Sequence, residues 1–169
     1  MSASGISPYK QALTKPANVR VALPSDAPAL YELLLKLYKD NPLGISMSPA
    51  KVMSLVENVC MGSGGVAGVI DGPNGDLVAS VGITAFQPWF SEEYHLVQLW
   101  LFVDPAHRVG GRNAKSLFEF AKWHKDDLSR RAQRHFGIES SFMSLIDQPQ
   151  KARLWNRHGR MVGMTFWTD

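Results

Sequence analysis

The sequence predicts an α+β domain, and three observations carry that prediction. Segments with a two-residue apolar period are interspersed with segments of helical period, and two of the strand-like segments are joined by dense turn chemistry. The most apolar segment, Tyr94 to Val103, runs straight into a glycine-rich basic turn and a long amphipathic stretch. The resulting order, β-α-α-β-β-β-α-β-α-β, mixes hairpins with helical crossovers, whereas a doubly wound fold alternates more strictly. With 169 residues, 45% apolar and 20% charged, the chain is the size of one domain, which buries roughly 70% of its unfolded surface.

Residues 1–17 are rich in Ser, Gly, Ala and Pro and read as a loose arm, leaving 18–169 as the domain. Asn18 to Leu23 alternates, with Val19, Val21 and Leu23 on one side of a first strand. Ser25 offers a helix N-cap, and Leu30, Leu33, Leu34, Leu37 and Tyr38 follow at helical spacing until Asn41-Pro42. Ser48-Pro49 opens a second helix with Val52, Leu55, Val56 and Val59 as its buried stripe. Val66 to Ile70 and Leu77 to Phe86 form a hairpin across Gly72-Pro73-Asn74-Gly75. Tyr94 to Val103 is a strand buried on both faces at the centre of the sheet. A third helix carries Ala114, Leu117, Phe118, Ala121 and Leu128. Arg130 to His135 is a basic connector, Gly137 to Leu145 a strand, Pro149 to His158 a helix and Met161 to Trp167 a closing strand.

Composition narrows the function. The longest purely apolar run, Leu99 to Val103, is far short of the ~20 residues that span a bilayer, and the first residues hold no apolar signal segment. A single cysteine, Cys60, excludes an internal disulfide and a thiolate metal cluster, so a cytoplasmic, metal-free protein is expected. The net charge of +3 divides unevenly: residues 1–103 carry −2 and residues 104–169 carry +5. The C-terminal part is therefore expected to meet an anion, be it nucleic acid, lipid headgroup or phosphorylated cofactor.

Most chemical motifs fail. Gly62, Gly64 and Ala67 spell G-x-G-x-x-A, but the dinucleotide fingerprint needs a strand before and a helix after, and here the order is reversed. Ala114-Lys115-Ser116 lacks both glycines of a Walker A loop, the five histidines show no metal spacing, and no serine sits in a nucleophile elbow. One motif holds: Leu101 to Ala114, a buried strand entering the turn Arg108-Val109-Gly110-Gly111-Arg112-Asn113 and then a helix. Unpaired N–H groups at a helix N-terminus, approached through glycines and flanked by Arg108 and Arg112, suit a phosphate or pyrophosphate.

These residues resemble motif A of the GNAT superfamily of acyl-CoA N-acyltransferases. There, a fourth strand ending V-x-P is followed by R/Q-x-x-G-x-G/A and a long helix. Val103-Asp104-Pro105 and Arg108-Val109-Gly110-Gly111 match, with Asn113 in place of the last Gly or Ala, a residue that tolerates unusual backbone angles. Ala152 to Gly159 is similar to the family's A-x-x-L-Y-x-x-x-G motif, one residue shorter between Ala152 and Leu154, with Trp155 for Tyr and Arg160 for the following Phe. The resemblance covers residues 18–167. It implies a mixed, mostly antiparallel, twisted sheet splayed between strands four and five. Acetyl-CoA would be the acyl-donor cosubstrate, its pantetheine on the backbone of Leu101, Phe102 and Val103 and its pyrophosphate on the N–H groups of Val109 to Ala114. Trp155 would pack against it.

The implied reaction is direct attack of an amine, from a small molecule or a protein, on the thioester. It needs a base, oxyanion donors and protonation of the thiolate. Trp155 cannot deliver a proton near neutral pH as the family's Tyr does. His95 and Glu139 are the base candidates. Gln98 on the fourth strand cannot accept a proton. Trp89, Glu92, Glu93 and Tyr94 form an acidic, aromatic lip for a cationic acceptor. The alternative is a non-catalytic module that binds CoA or nucleic acid through Arg108, Arg112, Lys115, Lys122, Lys125, Arg130, Arg131 and Arg134. The apolar final strand offers an edge for a homodimer.

Overall fold

A strand that is apolar on both faces needs a layer on each side. The computed structural model, which describes residues 13–39, 46–134 and 136–140, supplies both. Five strands, β1 (Arg20–Val21), β2 (Gly65–Asp71), β3 (Leu77–Phe86), β4 (His95–Val103) and β5 (Ile138–Ser140), lie side by side in chain order. The first four are antiparallel neighbours, and β5 is parallel to β4. A parallel neighbour requires a crossover, which is α3 (Arg112–Ala132). Leu117, Phe120 and Ala121 of α3 pack on Ile70, Val81, Ile83, Leu101 and Val103. The opposite face, through Ala67, Val69, Trp100 and Phe102, is covered by α1 (Ala27–Lys39) and α2 (Pro49–Cys60).

Two glycines let aromatic rings lie flat on the sheet, one on each face. A Cβ on Gly68 would stand 2.6 Å from the Phe120 ring, and one on Gly82 would stand 2.5 Å from the Trp100 ring. Gly82 and Trp100 are direct cross-strand partners, and the indole N–H donates to the buried Ser80 hydroxyl at 3.1 Å. The next register pair is Ile83 with Gln98, so Leu99 is an extra residue in β4, a β-bulge.

The hairpin between β2 and β3 and the bounds of β3 and β4 follow the sequence pattern closely. Several local expectations are corrected. The first strand has only two residues, with Val19 and Ala22 buried and Val21 and Leu23 exposed. Pro24 ends the extended run, and Val21, on the outermost strand opposite Gly68, lies at the margin of the sheet. Ser25 does not cap α1; it lies in a single 3-10 turn, Pro24–Asp26, where the Asp26 carboxylate accepts the Leu23 N–H at 2.6 Å. Ser48 and Pro49 open α2 as expected, although the Ser48 hydroxyl makes no cap bond. Leu55 is exposed, because one residue from Val56 is a turn of ~100°, and Cys60 joins Val56 and Val59 on the buried side. The expected basic connector begins inside α3: Arg130 and Arg131 form its last turn, each paired with Asp127, where cations also suit the helix dipole. Leu13 and Thr14 line a cleft of about 280 Å³ along α3. The fifth strand beyond Ser140, the helix expected at 149–158 and the strand expected at 161–167 lie outside the described residues.

The edge at β1 is held by charge. The Arg20 guanidinium binds Asp26 and Asp71 with two hydrogen bonds each, at 2.6 to 2.9 Å, tying β1, the entry to α1 and β2 together. Hydrogen bonding from Arg20 lowers the pKa of both carboxyls below the usual Asp value.

Two predictions follow from this packing. Gly82→Ala should destabilise the fold by about 1–3 kcal/mol, through displacement of the Trp100 ring, as read by urea unfolding. Carboxylates whose pKa is lower in the folded state stabilise it above the unfolded value of ~3.9, and that stability disappears as pH falls towards the folded value. An Arg20→Met variant should therefore be less stable than the parent at neutral pH, and the difference should shrink below about pH 4 in paired thermal melts.

Candidate functional site

The site begins where β4 leaves the sheet. Asp104 accepts the Ala106 N–H at 3.0 Å and pairs with Lys36 of α1, and the Lys36 contact, followed by the Ala106 bond, lowers its pKa. Two single turns, Pro105–His107 and Val109–Gly111, lead to α3. Gly110 (φ 70°) and Gly111 (φ 66°) are left-handed, a conformation that glycine adopts without penalty. Asn113 is not left-handed; it lies in the first turn of α3, and its side-chain amide donates to the His107 carbonyl at 3.2 Å. It thus stitches the turn together.

The start of α3 suits an anion. This helix of 21 residues has Gly111 at its N-cap with no side-chain cap bond, and no acidic residue in its first turn. The N–H groups of Arg112, Asn113 and Ala114 precede the helical i to i−4 ladder at the positive end of a long dipole. A Cβ at Gly110 or Gly111 would meet nothing within 4 Å, so the outer side of the turn is open.

Arg108 does more than line this rim. Its Nε–H donates to the Val103 carbonyl at 2.8 Å, and its guanidinium lies 5.4 Å from the Phe102 ring centroid. The Asp104 N–H points to Val78 of β3, so the Val103 carbonyl, one residue earlier, points to the other side of β4. The arginine therefore covers the end of the β4 edge that faces β5. That contact was not legible in the motif.

Along this edge, β5 pairs only with the beginning of β4: Leu96 with Ile138, Val97 with Glu139 and Gln98 with Ser140. From Leu99 to Val103, through Leu101 and Phe102, β4 has no strand partner on that side among the described residues. The bulge at Leu99 lies at the junction. Glu139 occupies the register position opposite Val97, next to the junction. His95 stands two residues before Val97, half-buried, its ring 5.3 Å from Phe86 in an edge-to-face contact. Gln98 is 2% exposed, and its side-chain oxygen has no hydrogen-bond partner among the described residues. Trp89, Glu92, Glu93 and Tyr94 lie on the β3–β4 loop, at the opposite end of β4 from the glycine turn. Trp155 lies outside the described residues.

Much of the basic surface is internally engaged. Lys115 pairs with Glu119, Lys125 with Asp126, and Arg130 and Arg131 with Asp127, while Lys122 and Arg134 sit over Phe118 and Phe136. Among the described residues, no exposed large aromatic is found on α3, and the exposed aromatics cluster at the β3–β4 loop beside acidic residues. Among the described residues, no helix is long and apolar enough to cross a membrane, and no cluster of His, Cys, Asp or Glu could hold a metal ion.

No protein-family model and no curated protein matches the sequence. Solved structures do match. A possible acetyltransferase from Clostridium difficile 630 superposes with a TM-score of 0.65 at 14% identity, covering 89% of this chain and 95% of its own. The ribosomal-protein-alanine N-acetyltransferase from Brucella melitensis biovar Abortus 2308 gives 0.60 at 14% identity, with 89% and 96% covered. The aminoglycoside acetyltransferase HMB0005 from an uncultured soil metagenomic sample gives 0.61 at 19% identity, again with 89% and 96% covered. The mixed α+β architecture, with its mostly antiparallel sheet and three helices, agrees with this likeness: the chain has a GNAT-like fold.

Proposed function

We propose that the protein transfers an acetyl group from acetyl-CoA to an amine. The observation that carries this reading is the uncapped N-terminus of α3, reached through Gly110 and Gly111, at the end of a β4 edge that has no strand partner among the described residues. The pyrophosphate would lie on the N–H groups of Val109 to Ala114, with Arg112 at its rim. The pantetheine amides would pair with the backbone of Leu101 to Val103. The thioester is the acetyl donor, and the bulge at Leu99 marks where its carbonyl would meet the protein. An extra residue in β4 leaves backbone groups outside the β3 ladder, which suits donation to a developing oxyanion.

In this reading the acceptor nitrogen forms a bond to the carbonyl carbon, the carbon–sulfur bond breaks, and the ammonium proton passes to a base. Glu139 is favoured over His95, because its register position lies at the junction whereas His95 is further along the strand and packed on Phe86. The thiolate takes its proton from water, since the indole of Trp155 cannot supply one.

Arg108 enters as a latch. Its bond to the Val103 carbonyl occupies an acceptor that the pantetheine would use, so binding requires the side chain to exchange that carbonyl for a phosphate.

Calorimetric titration tests this reading. The parent should bind acetyl-CoA, and Gly111→Asp should abolish binding by placing a carboxylate in the anion site on a left-handed backbone. Failure of the parent to bind acetyl-CoA would overturn the proposal. Arg108→Ala should bind S-acetylpantetheine, which has no pyrophosphate, several-fold to about tenfold more tightly than the parent. Unchanged or weaker binding would remove the latch. Glu139→Gln should lower kcat by about 10²- to 10⁴-fold without changing acetyl-CoA affinity, and His95→Gln should leave kcat within a few-fold. The reverse ranking would give the base role to His95.

A further inference from the structure

The β3–β4 loop is an unusual surface. Trp89 is 94% and Phe90 73% exposed, Phe86 and Tyr94 are also exposed, and Glu92 and Glu93 lie between them in the chain. A soluble surface rarely leaves indole and phenyl rings this open without a use for them. The loop is nonetheless built. Trp89 and Phe90 pack edge-to-face at 5.4 Å, the Ser91 N–H donates to the Pro88 carbonyl, the Ser91 hydroxyl accepts the Glu93 N–H, and Gln87 reaches the Glu92 carboxylate.

No cation among the described residues pairs with its carboxylates, Glu92 and Glu93. No Lys or Arg occurs from residue 52 to residue 107. Two carboxylates beside aromatic faces attract cations both through space and through the ring quadrupole. A neutral or acidic partner gains neither attraction.

The loop is also distant from the junction where acetyl transfer is placed. His95, the first residue of β4, precedes Leu99 by four residues, which is ~13 Å of strand, and the loop joins β4 at that far end. An amine poised at the junction cannot also touch the loop unless it belongs to something long. We infer that the β3–β4 loop is an exosite that grips a basic polypeptide segment, at least four extended residues from the amine that is acetylated. The acceptor is then a protein rather than a small amine. This inference rests on the proposed acetyl transfer for its meaning, but the docking itself is measurable without catalysis.

The probe is an unstructured dodecapeptide of alternating Lys and Ser, titrated at low salt into the parent and into a Trp89→Ala, Glu92→Gln, Glu93→Gln variant. The same peptide with Glu for Lys serves as the control. The parent should bind the Lys peptide and not the Glu peptide. The variant should bind it about tenfold more weakly or worse while binding acetyl-CoA as the parent does. Equal binding of the Lys peptide by parent and variant, or equal binding of both peptides by the parent, overturns the exosite. So does a sedimentation profile in which the parent is a dimer and the variant a monomer, since a second copy would then be the occupant. Loss of acetyl-CoA binding in the parent would sink acetyl transfer and leave the peptide result to judge the docking surface alone.

Discussion

Everything else in the molecule is arranged around the way β4 is packed. Its second half, Trp100 to Val103, is buried on both faces, so α3 and the α1–α2 pair must each supply a layer, and the register with β3 must be fixed. Trp100 fixes it. The indole needs a neighbour without a side chain, which is Gly82, and a hydrogen-bond acceptor, which is Ser80, two residues earlier on the same face of β3. With that pairing set, the remaining residues of β4 pair with β3 only if one of them is left over, and Leu99 is the one. The bulge thus falls at the point where the β5 ladder ends among the described residues.

The sequence carried the elements better than their details. The long apolar run of β4, the hairpin before it and the amphipathic α3 were legible because period and turn chemistry agree over many residues. At β1 they did not: a period-2 pattern over six residues suggested that Val19, Val21 and Leu23 share a buried face, but only Arg20 and Val21 pair, and the outer margin of a sheet leaves alternation little to bury. The glycine turn was readable because left-handed backbone and an uncapped helix start impose residue types. The partner of Arg108 was not, since a bond from a side chain to a carbonyl five residues back leaves no mark on composition. The alignment of Glu139 with Val97 was equally invisible, because it depends on how a crossover of more than thirty residues returns to the sheet.

The division of charge takes on a physical sense in the fold. The stretch without Lys or Arg, from 52 to 107, includes most of α2, three strands and the β3–β4 loop. The basic residues that follow begin at the glycine turn and run down α3. Several of these cations are already matched by Glu119, Asp126 and Asp127, while the head of the helix adds the positive end of its dipole to Arg108 and Arg112. One end of β4 thereby favours an anion and the other a cation. Two substrates of opposite charge entering from opposite ends would meet near the bulge.

The turn is also held in shape before any ligand arrives. Asp104 is fastened to α1 through Lys36 and caps the first turn through Ala106, while Asn113 ties the start of α3 back to His107. These contacts join three elements that a mobile loop would leave independent. The entropy of ordering the backbone around Gly110 and Gly111 is then met on folding rather than on binding, which raises affinity without adding a contact. Arg108 is the exception within this rigid frame. Its hydrogen bond to Val103 occupies one lone pair of that carbonyl, so in the proposed acetyl-CoA reading part of the cleft's affinity would be held back until a phosphate competes for the guanidinium. On that reading, a turn rigid in its backbone and exchangeable in one side chain would favour a ligand bearing both a phosphate and an amide-rich arm over a ligand bearing only one of them.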